Sequence, residues 1–365
     1  MYGTVGAQRE SERVAVKPDN PLRGLEGAVI MAGGRGTRLQ PLTHAVPKPL
    51  LPFCGAPLLE GTIRRLAKSG IRRVFLVVGN ELAAFEPLRA LCTHLDVTLE
   101  FVPEPTPLGT AGGVRSLAER SSDSLLVLNG DIVTDLDYGA VVTAHRGSGA
   151  AVTIVLGQVE DASSYGVALL SGSRIERFIE KPPPGSLPHG EWVNAGTYVI
   201  EPEALVTYPP GALSFEYEVF PDLLGSGRRV EGFAREGAWV DLGTPQRYQQ
   251  GHRLVLDRRL KWPTIDHVPE VADGRWVSPT AVVAAGAILR EPVLLLPGTH
   301  VAADAVVGPW TVLGRGASID RGAVIERAII HDQVRIGAGV VASGLIAGFG
   351  ANVETGARLG RDVLL

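Results

Sequence analysis

A glycine-rich run near the N-terminus brings together residue types that bind phosphate. Residues 33–36 contain three glycines and follow a short apolar stretch at 28–32, and Arg35, Arg38 and Lys48 add positive charge beside them. Glycine permits positive φ and close approach to the backbone, successive N–H groups in such a turn form an anion site, and arginine grips phosphate through two parallel hydrogen bonds. The pattern predicts a buried strand that leads into a loop for a polyphosphate.

Two common phosphate-binding loops do not fit this run. The dinucleotide-binding fingerprint G-x-G-x-x-G requires a last glycine, and starting from Gly34 that position is Leu39. A Walker loop requires Gly-Lys-Ser/Thr after the glycines, and that sequence is absent here. Taken alone, a G-G-x-G run is typical of an ordinary turn between a strand and a helix.

The elements around this run alternate between strands and helices. Helical spacing puts Leu59, Ile63 and Leu66 on one face of a predicted helix. Further helix is predicted at 111–120, and buried strands at 28–32, 74–78, 97–102 and 125–128. Such alternation predicts the α/β class, with a mostly parallel sheet covered on both faces. Ligands collect at the carboxyl ends of such strands, which places the glycine run and Asp131 at one edge.

The composition is that of a soluble globular protein. The chain has 365 residues, 45% of them hydrophobic, and a net charge of −4. This charge predicts no nucleic-acid partner, and no apolar stretch approaches the twenty residues that span a bilayer. Cys54 and Cys92 are too few for a disulfide framework, which is typical of the reducing cytoplasm. Residues 1–26 are mostly polar and predict a disordered tail.

The complete string 28–52 resembles the signature of the sugar-1-phosphate nucleotidyltransferases, L-A-G-G-x-G-T-R-L-x-P-L-T-x-x-x-P-K-P, with Met31 in place of leucine. Later segments that resemble the family follow in its order, including L-N-G-D at 128–131, Y-G-V at 165–167, N-A-G at 194–196 and W-x-D-x-G at 239–243. The resemblance implies a Rossmann-like, GT-A-like domain with a mixed sheet at 27–262. Its implied reaction joins a nucleoside triphosphate to a sugar 1-phosphate and releases pyrophosphate.

The resemblance also implies roles for individual residues. The expected catalytic residues are Arg38, Lys48 and Lys181, and the expected ligands of Mg²⁺ are Asp131 and Asp241. Mg²⁺ takes few protein oxygens and completes its octahedron with phosphate and water. The remaining expected contacts are with the nucleotide, at Ala32, Gly33, Gly34, Gly36, Thr37 and Gly109, and with the sugar phosphate, at Gly166, Glu180, Lys181 and Asn194.

The residues by themselves leave simpler interpretations open. Asp131, directly after a strand, and Asp241 or Thr244, before a helix, are typical of turns and helix caps. Glu180 and Lys181 are typical of a surface ion pair. Alternation along a strand puts their side chains on opposite faces, unless the chain bends before the proline that follows.

The loop 103–113 bears on the choice of substrate. Its P-L-G-T-A-G wording resembles guanylyltransferases that act on mannose 1-phosphate, whereas thymidylyltransferases usually carry glutamine in this loop. We therefore expect GTP and mannose 1-phosphate. Glucose 1-phosphate with thymidylyl, adenylyl or uridylyl transfer is the alternative, and a heptose or cyclitol phosphate stays open.

The C-terminal part, 275–365, follows a predicted linker at 263–274 and repeats every six residues. Aliphatic residues recur at Val277, Val283, Leu289, Leu295, Val301, Val307, Leu313, Ile319 and Ile325. A period of six predicts a three-sided solenoid with one hexapeptide per side. The repeat resembles the left-handed parallel β-helix of hexapeptide-repeat proteins. We expect the register to break at His331, with aliphatics returning out of phase at Val334, Val340 and Ile346.

The repeat domain leaves two other functions open. Many hexapeptide β-helices are acyltransferases with a histidine base, for which His300 and His331 are the candidates. A catalytically inactive regulatory relative is the other possibility. The joint presence of the expected catalytic and metal-binding residues argues against it, because an inactive copy has no chemical need for all of them. We also expect the β-helix to mediate a homo-oligomer.

Overall fold

The computed structural model describes residues 20–34, 36–187, 191–235, 237–360 and 363–365. Residues 1–19, which belong to the predicted disordered tail, and Arg35, one of the predicted phosphate-binding cations, lie outside the described residues. The first strand begins at Leu25. The last two residues of the predicted tail therefore belong to the first sheet.

The first domain contains thirteen strands among its described residues. They are β1 (Leu25–Met31), β2 (Pro52–Phe53), β3 (Ala56–Pro57), β4 (Arg73–Val78), β5 (Thr98–Pro103), β6 (Ser124–Asn129), β7 (Ile132–Thr134), β8 (Val152–Gln158), β9 (Gly166–Ser171), β10 (Arg174–Glu180), β11 (Trp192–Ile200), β12 (Val230–Ala234) and β13 (Trp239–Asp241). The predicted strands at 28–32, 74–78, 97–102 and 125–128 correspond to β1, β4, β5 and β6.

The α-helices are α1 (Leu42–Ala45), α2 (Leu58–Lys68), α3 (Leu82–Phe85), α4 (Leu88–His94), α5 (Gly112–Ala118), α6 (Tyr138–Ser148), α7 (Phe220–Gly225) and α8 (Pro245–Leu256). Short 3₁₀ turns lie at Thr37–Leu39, Lys48–Leu50, Pro202–Ala204 and Ile265–His267, and one π-helical turn lies at Phe215–Val219. No described helix combines the length and the hydropathy needed to cross a bilayer.

A nine-stranded mixed sheet in the order β5-β4-β1-β6-β11-β8-β12-β10-β9 forms the first domain. Strands β5, β4, β1 and β6 run parallel, as the alternation predicts. β11 then pairs antiparallel with β6, and the sheet is mixed from that point. A separate two-stranded ribbon pairs β7 with β13. This ribbon joins the segment after β6 to the segment before α8.

Helices cover both faces of the sheet. On one face, Leu59, Ile63 and Leu66 of α2 are fully buried against β1 and β4, which confirms the predicted helix face. On the other face, Val114 and Leu117 of α5 are buried, together with residues of α7. Burying an aliphatic side chain of this size stabilises the fold by about 1.5–3 kcal/mol relative to leaving it exposed.

The second domain is a three-sided stack of parallel strands. One side contains β14 (Glu270–Ala272), β15 (Arg275–Val277), β18 (Val293–Leu295), β21 (Thr311–Leu313), β24 (Ile329–Ile330) and β27 (Ile346–Ala347). The other two contain β16 (Val282–Val283), β19 (His300–Val301), β22 (Ser318–Ile319), β25 (Arg335–Ile336) and β28 (Asn352–Val353), and β17 (Ile288–Leu289), β20 (Val306–Val307), β23 (Val324–Glu326), β26 (Val341–Ser343) and β29 (Arg358–Leu359). The predicted parallel β-helix is confirmed.

The register break lies earlier than the sequence pattern predicts. Val277 pairs with Leu295, eighteen residues on, whereas Leu313 pairs with Ile330, seventeen residues on. The missing residue therefore falls before Ile330, in the turn that contains Arg327 with φ +51°, and not at His331. Beyond it the inward ladder continues through residues 330, 336 and 342. A second residue is missing between Ala342 and Ala347, and the ladder then reaches Val353.

Two of the aliphatic residues that were predicted to be out of phase point into the β-helix, but at a different position of the six-residue repeat. Val334 and Val340 are fully buried inside the stack, where small residues stand in earlier coils. Ile346 instead faces outward and packs in the core between the domains. Aliphatic side chains at both positions hide a one-residue deletion from a search for six-residue spacing.

An apolar core joins the two domains. It contains Leu39, Leu42 and Phe53 from the first domain together with Trp276 and Leu296 from the second. Of the segment 263–274, predicted as a linker, Thr264, Ile265 and Val268 are buried in this junction, whereas residues 269–273 are exposed. The Thr264 hydroxyl is buried and donates to the carbonyl oxygen of residue 54 at 2.9 Å, and β14 pairs antiparallel with β15.

Two histidines are buried in this junction. His252 of α8 accepts a hydrogen bond from the backbone N–H of Cys54 at Nε2 (3.3 Å), and its Nδ1 lies 3.0 Å from the carbonyl oxygen of Tyr248. This arrangement fits the neutral ring with its proton on Nδ1. Among the described residues, His331 Nε2 has no hydrogen-bond partner. Burial lowers the pKa of His252 to about 4 and that of His331, with a further contribution from His252, to about 3.

These two pKa values predict acid sensitivity. Both folded pKa values lie below that of unfolded histidine, so the full stability is present above about pH 6.5 and is lost as the pH falls. Near pH 5.5 each histidine should lower the free energy of unfolding by about 1 kcal/mol per pH unit. His331→Phe should reduce the slope that urea unfolding measures between pH 6 and pH 5 by about 1 kcal/mol per pH unit, and the exposed His300→Asn should leave it unchanged. An unaltered slope in His331→Phe would contradict the assignment.

Candidate active site

The glycine run lies at the carboxyl end of β1, at the edge that the topology predicts. Beyond β1, the N–H of Ala32 donates to the carbonyl oxygen of Val77 at 2.8 Å and extends the ladder with β4. A cavity of about 340 Å³ opens here, and the predicted site residues along it are Ala32, Gly33, Gly34, Lys48, Gly109 and Asp131. Residues from four separate segments of the sequence are therefore brought together.

Gly36 and Thr37 do not line this cavity. Gly36 has φ +60° and precedes the 3₁₀ turn, and its carbonyl oxygen accepts a hydrogen bond from the Thr43 hydroxyl at 3.0 Å. A Cβ atom at Gly36 would lie 2.9 Å from Thr43 Cγ2 and 3.0 Å from Lys48 Cβ. Glycine at this position therefore lets the chain carry Lys48 close to the loop.

Lys48 connects the two predicted metal ligands. Its ammonium group forms an ion pair with Asp131, and it lies 3.9 Å from Asp241 Oδ1. The β7–β13 ribbon brings the aspartates together because Asp241 pairs with Ile132, next to Asp131. Two carboxylates more than a hundred residues apart in sequence thus face one lysine.

Asp241 is not a helix cap. The side chain that caps α8 is that of Thr244, which accepts the N–H of Arg247 at 3.3 Å. Burial and the charge of Asp131 raise the pKa of Asp241, while Lys48, Arg247 and Arg38 oppose the rise. Asp241 Oδ1 is buried and accepts no hydrogen bond from the described residues.

The donor set fits a magnesium ion. Hard carboxylate oxygens are the ligands that Mg²⁺ prefers, and one or two of them suffice when phosphates supply the rest. Asp131 and Asp241 provide such a pair, and the unpartnered Oδ1 of Asp241 is an oxygen left open for a ligand. The described residues contain no group of three or more histidine, cysteine, aspartate or glutamate side chains arranged to hold a metal.

Arg38 lies at the rim of the site. Its side chain is exposed, and a Cβ atom at Gly243 would lie 2.9 Å from Arg38 Nη2 and 2.8 Å from Asp241 Oδ1. The guanidinium is thus beside the buried carboxylate while keeping access to solvent. A phosphate entering the cavity from this side would meet its positive charge first.

Glu180 and Lys181 converge, although they are consecutive residues after a strand. β10 ends at Glu180, and Lys181 takes φ +47°, which turns its side chain back so that Nζ lies 3.2 Å from Glu180 Oε1. The Lys181 N–H donates to the carbonyl oxygen of Tyr165 at 3.0 Å. Burial raises the pKa of Glu180, Lys181 opposes the rise, and Glu180 Oε2 is buried with no partner among the described residues.

Asn194 is engaged within its own strand. Its amide nitrogen donates to the Tyr198 hydroxyl at 2.8 Å, and its amide oxygen accepts the N–H of Gly196 at 2.9 Å. The pairing of β11 with β8 shifts register between Asn194 and Tyr198, so the side chain holds a bulge. Within the described part of the chain, these bonds leave one amide hydrogen and one lone pair of Asn194 without a partner.

Two residues at the site escaped the sequence analysis. Glu104 directly follows β5, is 9% exposed and lines the cavity. Burial raises its pKa, while hydrogen bonds from the backbone N–H groups of Leu108 and Gly113 oppose the rise. Arg247 forms an ion pair with Asp241 at 2.9 Å. A charged residue directly beyond a buried strand was the signal for Glu104, whereas nothing in the pattern of α8 pointed to Arg247.

Residues 27–258 match the model of the family described as Nucleotidyl transferase. The chain belongs to this family. The nucleotidyltransferase is 35% identical to the mannose-1-phosphate guanylyltransferase of Mycobacterium tuberculosis over 321 residues, which cover 86% of this chain and 82% of that protein. It is 32% identical to the probable mannose-1-phosphate guanylyltransferase 1 of Oryza sativa, over 92% of this chain and 91% of that protein.

A solved structure shares the fold of the nucleotidyltransferase domain. HddC from Yersinia pseudotuberculosis is 25% identical, with a TM-score of 0.53, and the match covers 62% of this chain and 97% of that chain. A complex of HddC with GMP-PN matches equally well. The match covers nearly all of the HddC chain, whereas over a third of this chain lies outside the match. This nucleotidyltransferase is therefore the longer of the two chains.

The contact between Gly166 and Glu180 generates a prediction. The two residues pair across β9 and β10, and a Cβ atom at Gly166 would lie 2.3 Å from Phe178 Cζ and 2.7 Å from Glu180 Oε2. Gly166→Ala should therefore displace Glu180 and raise the KM for the sugar phosphate about tenfold, a loss of about 1.4 kcal/mol in binding, with the KM for the nucleotide unchanged. Gly147→Ala, at a site with open space, is the matched control, and equal KM values in both variants would refute the contact's role.

Proposed function

We propose that the protein transfers a guanylyl group from GTP to a sugar 1-phosphate, with mannose 1-phosphate as the first candidate, and releases pyrophosphate. The observation that carries the proposal is the pair Asp131 and Asp241 around Lys48, of which Lys48 and Asp131 line the cavity. Two carboxylates and several cations suit a reaction between a nucleoside triphosphate and a second phosphate. The names of the guanylyltransferase relatives support the substrates.

The chemistry requires no general base. A phosphate oxygen of the sugar 1-phosphate bonds to the α-phosphorus, the bond from that phosphorus to the oxygen bridging to the β-phosphate breaks, and pyrophosphate leaves with that oxygen. Bound Mg²⁺, held by Asp131 and Asp241, supplies charge neutralisation and alignment of the phosphates. Lys48 stabilises charge at the reacting phosphorus, Arg38 and the glycine-run N–H groups hold the leaving pyrophosphate, and Lys181 orients the nucleophile.

Glu104 supports guanine as the base. Guanine presents two adjacent donors, N1–H and the 2-amino group, and an ionised carboxylate is a double acceptor that matches them. Glu104 lines the cavity, with its carboxylate beside Gly33 and Gly113. Thymine presents one donor beside one acceptor, which matches an amide side chain instead.

The acyltransferase alternative loses one of its two candidate bases. His331 is 2% exposed in the core between the domains, where no acyl donor has access. His300 is exposed, and its Nδ1 lies 2.9 Å from the carbonyl oxygen of Gly298, two residues away. The homo-oligomer and the cytoplasmic location stay predictions from the sequence.

Pyrophosphate release tests the reaction. With Mg²⁺, GTP and a panel of α-sugar and cyclitol 1-phosphates, the wild-type protein should release pyrophosphate, and Asp131→Asn or Lys181→Ala should lower kcat/KM by about 10²–10³-fold while circular dichroism stays unchanged. The exposed Asp123→Asn is the matched control for the first variant. Activity at the wild-type level in the double variant, or silence of the wild type across the panel, would refute the proposal.

The base preference is tested through Glu104→Gln. The amide places a donor against a guanine donor, so kcat/KM for GTP should fall about 10–100-fold, the cost of a hydrogen bond to a charged group. Turnover of dTTP relative to GTP should rise. Inosine triphosphate lacks the 2-amino group, so the variant should lower kcat/KM for inosine triphosphate less than it lowers kcat/KM for GTP. An unchanged ratio of GTP to dTTP turnover would remove Glu104 from base recognition.

A further inference from the structure

Arg247 contacts Asp241, one of the two proposed metal ligands. It is the third residue of α8, and its backbone N–H is held by the Thr244 hydroxyl that caps the helix. Its Nη1 lies 2.9 Å from Asp241 Oδ2, and its guanidinium carbon lies 4.7 Å from the centre of the Tyr165 ring. The side chain is 24% exposed and that of Asp241 18%, so both groups are largely withdrawn from solvent.

The two oxygens of Asp241 have different surroundings. Oδ2 accepts from Arg247, whereas Oδ1 is buried, accepts no hydrogen bond from the described residues and lies 3.9 Å from Lys48 Nζ. A carboxylate with one oxygen anchored cannot rotate freely about its last bond. The anchor therefore decides which oxygen faces the side of the site where Lys48 and Asp131 lie.

We propose that Arg247 is a positioning residue that fixes Asp241 so that Oδ1 is the oxygen presented to the divalent metal. The inference rests on the proposed function, since it takes Asp131 and Asp241 as the metal ligands. Outer hydrogen bonds of this kind orient metal ligands, and their loss costs about 10–100-fold in metal affinity.

Tyr165 extends the effect to the side of the site that holds the sugar phosphate. Its ring supports the Arg247 guanidinium from one face, and its carbonyl oxygen accepts the N–H of Lys181 at 3.0 Å. The next residue, Gly166, pairs with Glu180. Arg247 thus links the proposed metal ligand to the turn that carries Lys181.

The positive charge of Arg247 and its orientation of Asp241 have opposite expected effects on metal affinity, which makes the proposal testable. The positive charge of Arg247 repels a divalent cation, and this repulsion taken alone predicts tighter metal binding when the charge is removed. A positioning role predicts weaker binding. Arginine also offers a planar fork that lysine lacks, so lysine retains the charge without the geometry.

The experiment measures Mn²⁺ binding to the full-length protein by electron paramagnetic resonance, with Mn²⁺ as the probe for the divalent metal. Saturating GTP is present to supply the phosphate ligands, and the sugar 1-phosphate is withheld. We expect Arg247→Met to raise the Kd about 10–100-fold and Arg247→Lys to raise it by a smaller factor. Arg253→Met removes another arginine of α8, one that packs over Trp310, and should leave the Kd unchanged. Unchanged or tighter binding in Arg247→Met would overturn the proposal.

The aromatic contact has its own matched pair. Tyr165→Phe keeps the ring under the guanidinium and should bind Mn²⁺ like the wild type, whereas Tyr165→Leu should raise the Kd a few-fold.

For pyrophosphate release, Arg247→Met should lower kcat and raise the Mg²⁺ concentration that gives half the maximal rate, and the KM for GTP should change less.

Asp131→Asn distinguishes a wrong assignment of the metal ligands from a wrong role for Arg247. If this variant loses Mn²⁺ binding but Arg247→Met does not, the metal site stands and the role of Arg247 fails. If neither the wild type nor Asp131→Asn binds Mn²⁺, or if both bind it equally, the assignment of the metal ligands in the proposed function fails, and the inference about Arg247 fails with it.

Discussion

Two partly buried carboxylates, Asp131 and Asp241, share one lysine, and the organisation of the site depends on that contact. Like charges brought close together in a partly buried setting repel each other, and the repulsion raises the pKa of one of them. Lys48 lies between the two, and Arg247 holds the outer oxygen of Asp241. The antiparallel ribbon of β7 and β13 keeps the aspartates in this arrangement, because its register fixes Asp241 beside Ile132.

The second domain supports the segment that carries Lys48. Leu39, Leu42 and Leu51, which flank the proposed catalytic residues Arg38 and Lys48 in sequence, are buried in the same apolar core as residues on one side of the β-helix. A Cβ atom at Gly348 would lie 3.1 Å from Leu42 Cδ2, so the last coils approach this segment closely. The junction is therefore part of the framework that holds the cations, and it also contains the two buried histidines.

Local backbone conformation corrects what strand periodicity predicts on the sugar-phosphate side. Alternation separates Glu180 from Lys181, yet the left-handed φ of Lys181 returns its ammonium group to the same carboxylate. Such a residue costs free energy in isolation, and it persists because the surrounding structure holds it. Here the hydrogen bond from its N–H to Tyr165 and the proline that follows define the turn.

The sequence by itself determined the elements whose signals are local. The buried strands, the apolar face of α2 and the six-residue repeat all follow from the periodicity of side chains, which depends only on near neighbours along the chain. Only the tertiary structure decided the packing of residues 264–268, the positions of the two shortened coils, and the placement of Glu104 and Arg247 at the cavity and at Asp241. These depend on contacts between segments far apart in sequence, and no local pattern encodes which distant side chain will stand opposite.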